Sequence, residues 1–189
     1  MNSFPTQSEA LNILRLAGCS KRVIQHCKKV AELAICISTA LSKKGIEINL
    51  KVVEVGALLH DIGRSKTHSV LHGYYGGKIA SSLDLPKPIV KIIERHVGAG
   101  IPASEGVLLG LPKKDFIPLT IEEKIVASAD KLVSGPNIID GSDAVKELEK
   151  DLTKNHPAVV RLKGLLNELS IMHGEIFAYP NSDGKSSER

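Results

Sequence analysis

The chain has 189 residues, 42% hydrophobic and 24% charged, with a formal net charge of +4. That length suits one sizeable domain, and no apolar run approaches the roughly 20 residues a membrane span requires. Three cysteines without a C-x-x-C argue against a disulfide scaffold and a zinc knuckle, and the mild positive charge favours anionic ligands such as phosphates without demanding a polynucleotide.

The elements read as a succession of helices. Thr6-Gln7-Ser8-Glu9 has capping-box spacing and starts a short helix that stops near Gly18. Ser20 caps a long helix over 21–44, ended by Gly45. Asn49 caps a third, through about Ile62, and a fourth runs over about 69–83. Pro88 suits the first turn of a fifth, which reaches His96 and stops at Gly98-Ala99-Gly100. Residues 101–119 hold prolines and glycines among apolar residues and read as a loop with room for a short helix at 103–110. Thr120-Ile121-Glu122-Glu123 is a second capping box, and its helix runs to about Val133. Ser134-Gly135-Pro136-Asn137 breaks it, a charged helix follows over 142–154, and a last one runs from about Pro157 to near Gly174. The polar stretch 181–189 reads as a disordered tail. Alternating strand patterns are almost absent, so the fold class is all-α, one compact helical bundle over 1–180.

Met1 to Pro5 lacks the layout of a secretory signal, and a cytoplasmic location with reduced thiols is expected. Cys27 and Cys36 fall in a helical pattern and read as small buried apolar residues.

Five helices each aim a ligand-type side chain at the interior. His26 lines up with Val23, Val30 and Leu33; His60 with Val52, Gly56 and Leu59; His72 with Tyr75, Gly76, Ile79 and Leu83; His96 with Ile89, Ile92 and Ile93. Asp130 sits between Val126 and Val133, and Asp61 follows His60 directly. Any one such histidine is more often a hydrogen-bonded core residue than a ligand, and a lone inward Asp is more often a cap. Five together would need five separate compensations for buried polarity, whereas a metal needs one cause. Imidazole and carboxylate suit Fe, Mn, Co, Ni or Zn, with Mg also open, so the set does not choose the ion. Consecutive side chains on a helix diverge by about 100°. At a helix end loosening into Ile62-Gly63, both His60 and Asp61 can still reach one ion, and Gly63 permits the turn a Cβ would obstruct.

The order His26, His60-Asp61, Asp130 resembles the H…HD…D signature of the HD-domain superfamily of metal-dependent phosphohydrolases. The stretch Ala57-Leu58-Leu59-His60-Asp61-Ile62-Gly63-Arg64 is similar to the helix end of its HDIG subgroup. The resemblance covers about 20–135, with helices 142–174 appended. His72-Gly73-Tyr74-Tyr75-Gly76-Gly77 and Glu94-Arg95-His96-Val97-Gly98 look like an archaeal-type HDIG group. The resemblance implies one metal held by His26, His60, Asp61 and Asp130, and a second held by Asp61, His72 and His96. Val97-Gly98-Ala99-Gly100 departs from the diadenosine-tetraphosphate hydrolases of the superfamily, and the GYP element of its cyclic-di-GMP enzymes is missing.

The expected function is hydrolysis of a nucleotide or related small phosphoester, since one or two divalent ions lower the pKa of water and polarise the phosphoryl group. Asp61 and Arg64 carry the catalytic expectation. Arg64, Lys66, His68 and Lys131 are the candidates to meet substrate oxygens, although charged residues at such positions are more often solvated, and His68 stands at the pocket mouth rather than among the ligands. His156 and His173 read as capping or surface residues. A non-catalytic metal or nucleotide sensor is the alternative. RNA is a weaker third, because Lys21-Arg22, Lys28-Lys29, Lys43-Lys44 and Lys51 fit solvated helix faces at least as well. A homodimer is compatible with the sequence. The 101–119 loop joins two ligand-bearing helices and is expected to shape selectivity.

Overall fold

A computed structural model describes residues 3–173. Its helices are α1 (Gln7–Leu16), α2 (Lys21–Lys43), α3 (Leu50–Leu59), α4 (His72–Ser82), α5 (Lys87–Arg95), α6 (Ala103–Leu108), α7 (Ile121–Lys131), α8 (Gly141–Asp151) and α9 (Pro157–His173). Short 3₁₀ turns cover Ile62–Ser65 and Val97–Ala99. The fold is all-α. The polar segment 181–189 lies outside the described residues.

The helix starts follow their caps. Thr6 and Glu9 form the full reciprocal box, Ser20 accepts from the Val23 N–H, and Asn49 accepts from the Val52 N–H. Gly45 ends the α2 region at φ +86°, where a Cβ is costly. At Thr120 only half the expected box forms. Its hydroxyl accepts from the Glu123 N–H, but the Glu123 carboxylate turns instead to Arg95, at 3.0 and 2.9 Å, and to the Leu119 N–H. A buried Glu facing a guanidinium gains more from that pair than from a cap.

The core is one continuous cluster. α2 lies along α3 and α7 with Cys27, Val30, Ala34, Ile37 and Leu41 buried; α5 adds Ile89, Ile92 and Ile93; α9 closes it with Leu162, Leu166 and Leu169. Cys36, by contrast, is exposed, so only Cys27 of the expected pair packs inside. α4 also turns differently from its sequence stripe. Tyr75 and Leu83 face solvent, and the buried side is His72, Gly73, Gly76, Gly77 and Ala80. That face is nearly side-chain-free because α5 lies against it: a Cβ on Gly77 would stand 2.3 Å from Glu94 Cγ, and one on Gly76 2.7 Å from Ile93 Cγ2.

Two segments depart from the expected loops. Residues 133–138 form a two-residue antiparallel pair, Val133–Ser134 with Asn137–Ile138, turning at Gly135-Pro136. The 101–119 segment is pinned at its base by a bridge in which Ile101 and Phe116 exchange backbone hydrogen bonds, over a small cluster of Val97, Ile101, Leu111 and Phe116. Glu105 of α6 then meets Arg161 of α9 in two 2.7 Å contacts. It is therefore an anchored element.

Gly63 has a different role from the one its place in the turn suggests. A Cβ there would lie 1.9 Å from the His72 carbonyl oxygen and 2.6 Å from the Gly76 nitrogen, so its smallness lets α4 approach the turn after α3. Both obstacles are backbone and cannot step aside. Gly63→Ala should cost roughly 3 kcal/mol or more in chemical denaturation. Gly164→Ala, in α9 with nothing within 4 Å of a new Cβ, should instead gain about 0.5–1 kcal/mol. Equal effects would show that the Gly63 contact carries no such weight.

Candidate metal centre

Five helices or their ends deliver six side chains to one point. His26 comes from the first half of α2, His60 is the C-cap of α3, and Asp61 follows in the turn. His72 opens α4, His96 is the C-cap of α5, and Asp130 lies in the last turn of α7. All but the half-buried His26 are buried.

The two oxygens of Asp61 face opposite ways. Oδ1 lies 3.2 Å from His72 Nε2 and 3.5 Å from His96 Nε2. Oδ2 lies 3.7 Å from His60 Nε2 and 4.0 Å from His26 Nε2. Asp130 Oδ1 closes the second side, 2.9 Å from His26 Nε2 and 3.4 Å from His60 Nε2. His26, His60 and Asp130 make one group of ligand-type atoms within 4.8 Å of one another, and His60, Asp61 and His96 make another.

The histidines are oriented from behind. Nδ1 of His60, His72 and His96 donates to the carbonyls of Ala57 at 2.7 Å, Ser69 at 2.7 Å and Ile93 at 2.9 Å. A carbonyl only accepts, so each Nδ1 carries a proton, and in the neutral ring Nε2 turns its lone pair inward, the arrangement of metal-ligating imidazoles.

Two observations test whether these residues fit a divalent cation. First, Nε2 of His60 and Oδ1 of Asp61 are buried with no hydrogen-bond partner. Second, Nε2 of His72 and Nε2 of His96 stand 3.0 Å apart with both Nδ1 atoms already committed. Neutral rings so placed oppose lone pair to lone pair, and positive charge between them relieves it. Electrostatics agree. Burial pushes the Asp61 carboxyl up, but His60, His72 and His96 hold it well below the ordinary range. Burial also opposes ionisation of Asp130, and Lys131, His26 and His60 outweigh it. Burial pushes His96 down to about 4, with His60 and His72 adding to the effect against Asp61. Burial likewise favours a neutral His60, yet Cys27, Asp61 and Asp130 carry it well above the usual imidazole value. The centre draws positive charge, and the residues fit a cation.

Outside the ligand cluster opens a cleft of about 1060 Å³, lined by His26, Asp61 and Asp130 at its floor. Arg64 and Lys131 line it too. Arg64 Nε donates to Asp61 Oδ2 at 2.5 Å, and Lys131 Nζ meets Asp130 Oδ2 at 2.8 Å. His68 lies on the exposed rim, whereas Lys66 is exposed and absent from the lining. His156 accepts from the Ala158 N–H at the start of α9, and the His173 side chain lies outside the described residues. No residue of 101–119 lines the cleft; the 133–138 hairpin and α8 take the place expected of that loop. Arg22, Lys29, Glu147 and Asp151 complete the walls. The first two were visible only as a basic run, and the last two only as part of a charged helix.

A family model described as the HD domain matches residues 23–135. The chain belongs to the HD domain family. An uncharacterised protein of Methanocaldococcus jannaschii is 44% identical over 162 residues, covering 86% of this chain and 95% of that one. A tRNA (cytidine(56)-2′-O)-methyltransferase of Picrophilus torridus is 40% identical over 171 residues, 90% of this chain but 48% of the relative. Among solved structures, the HD domain of the L. monocytogenes phosphodiesterase PgpH, in complex with cyclic-di-AMP, superposes with a TM-score of 0.50 at 15% identity, covering 90% of this chain and 99% of that one. At that identity the likeness shows the fold. The family is one of metal-dependent phosphohydrolases, and the His/Asp cluster of this member can hold a divalent metal.

Elemental analysis of the purified protein should find one to two equivalents of a transition metal per chain. Re-adding the metal to chelated protein at about 100 times its Kd should raise stability by about 2.7 kcal/mol. Asp61→Ala should abolish that gain and His72→Ala should lower the stoichiometry. Unchanged stoichiometry in both would sink the shared-carboxylate geometry.

Proposed function

We propose that this HD protein hydrolyses a phosphoester of a nucleotide or a related small molecule, using one or two divalent transition metals held by His26, His60, Asp61, His72, His96 and Asp130. The observation that carries this reading is the Asp61 carboxylate. It offers one oxygen to each pair of histidines, beneath a cleft whose lining includes Arg64 and Lys131. A divalent metal held by these residues would lower the pKa of water and polarise the phosphoryl group.

The protein's own groups do the rest. Asp61 and Asp130 are held ionised by their neighbours and stay available as acceptors. Arg64 uses Nε on Asp61, and Lys131 uses Nζ on Asp130, so both cations stand where a substrate's anionic oxygens enter. They offset charge on the transferred phosphoryl group. In the hydrolysis, a P–O bond forms to water and the ester P–O bond breaks. The leaving oxygen takes up a proton as the alcohol. His68 meets the substrate at the rim. No helix among the described residues is long and apolar enough to cross a membrane.

A second reading is favoured by the Picrophilus relative, whose name places it on tRNA and in which a region like this chain occupies about half the length. Here the scissile phosphoester belongs to RNA. Nucleoside monophosphates, cyclic nucleotides, dinucleoside polyphosphates and phosphate-ended oligoribonucleotides, assayed across Mn, Fe, Co, Ni and Zn, separate the two. Turnover of the small substrates is expected. His60→Ala or Asp61→Ala should abolish it with helix content intact, and Arg64→Ala should lower kcat by roughly 10²–10³. Nucleotide binding without product would select a sensor, and product from the oligoribonucleotides alone would select RNA.

A further inference from the structure

The six ligand-type side chains fall on two sides with unequal access to solvent. On the outer side, His26, Asp61 and Asp130 line the cleft, and the His26 side chain is 24% exposed. The carboxylates there already answer to protein cations, Asp61 Oδ2 to Arg64 and Asp130 Oδ2 to Lys131. On the inner side, the His72 and His96 side chains are 6% and 1% exposed, and neither lines the cleft. Asp61 Oδ1, which faces them, is buried without a hydrogen-bond partner among the described residues. The helices carrying the two inner rings are pressed together. A Cβ on Gly73 of α4 would stand 2.8 Å from Val97 Cγ2 and 3.2 Å from the carbonyl oxygens of Ile93 and Glu94. On the other flank of α4, Gly63 brings the turn after α3 against the His72 carbonyl.

On the reading that this centre holds divalent metal for phosphoester hydrolysis, we infer that its two sides have different duties. His26 and Asp130 form an open side that exchanges its ion through the cleft, and a phosphate arriving by the cleft meets that side. His72 and His96 close around Asp61 Oδ1 and keep a second ion as a fixed part of the fold. An ion leaves only when water or another donor can reach it and replace its ligands one by one, so exchange needs a path. The cleft supplies one past His26. A path to His72 and His96 requires α4 to lift from α5, a local opening of packed helices. Ligand number alone gives the reverse order, because His26, His60, Asp61 and Asp130 converge on the outer side and Asp61, His72 and His96 on the inner. Access sets the rate instead. Arg64 and Lys131 push the same way, since each spends part of an outer carboxylate's attraction for a cation.

The test is the release of zinc from the loaded full chain into an excess of a chelator that colours on binding it, followed in a stopped-flow instrument. The native protein should release its zinc in two phases of equal amplitude. The second should run roughly tenfold or more slowly than the first, because it waits on a local opening. His26→Ala should deplete the fast phase and leave the slow one. His72→Ala should remove the slow phase and keep the fast one, with circular dichroism showing that both variants retain their helices. The native result stands alone if a variant fails to fold. Uptake of a single equivalent, release in one phase, a slow phase depleted by His26→Ala, or a slow phase that survives His72→Ala would each overturn the inference. Hydrolysis of p-nitrophenyl phosphate by the native protein is measured separately. Its absence would count against the phosphohydrolase reading and leave the two-phase release untouched.

Discussion

A carboxylate shared between two pairs of imidazoles is the constraint from which the architecture follows. Asp61 must lie within a few ångströms of histidines on α2, α4 and α5 and of its own neighbour at the end of α3. Helices are about 10 Å thick with their side chains, so four of them meet at one atom pair only if some contribute ends rather than sides. That is the case: His60 and His96 are C-caps and His72 opens its helix. The remaining crowding is relieved by removing side chains, which explains the glycines of α4 and Gly63.

Placing histidines at helix ends also settles their chemistry. The last turn of a helix leaves carbonyls without an intrahelical partner. Ala57 and Ile93 are such carbonyls, and the Nδ1–H groups of His60 and His96 satisfy them three residues on. One hydrogen bond finishes the helix, fixes the tautomer and aims the lone pair of Nε2 inward. The helix position and the inward orientation of the ring therefore have a common origin. The Arg95–Glu123 pair adds a second brace. It ties α5, just before His96, to α7, which carries Asp130, through Arg95 Nη1 donating to both oxygens of a buried glutamate. Such a pair fixes register more than it adds stability.

Much of this was legible in the residues themselves. The helix periodicity, the caps at Thr6, Ser20 and Asn49, and the coincidence of imidazoles and carboxylates on apolar stripes each rest on local spacing, which sequence preserves. What escaped depends on contacts between distant segments. The buried face of α4 is set by where α5 lies, so Tyr75 and Leu83 were assigned to the wrong side. Cys36 lies one step off the buried stripe of α2, a rotation that helical spacing alone does not resolve. Glu123 read as a cap because nothing nearby in the chain announces Arg95. Glu147 and Asp151 looked like solvated acids because only the fold shows that the hairpin and α8 face the cleft.

The division between floor and walls follows from the same physics. The floor is held by buried, mutually dependent charges, where loss of one partner leaves another uncompensated, so it tolerates little change. The α8 face is half solvated, and altering it costs the fold little. It is also carried by a segment that joins the body late in the chain, through α9 packed on α7 and α2. The 101–119 segment, by contrast, is fastened at its base by Ile101 and Phe116 and at its tip by Glu105 on Arg161, so its contacts are spent on anchoring. The wall that can vary without disturbing the charges beneath it is therefore the hairpin with α8, and the anchored 101–119 segment stays away from the cleft.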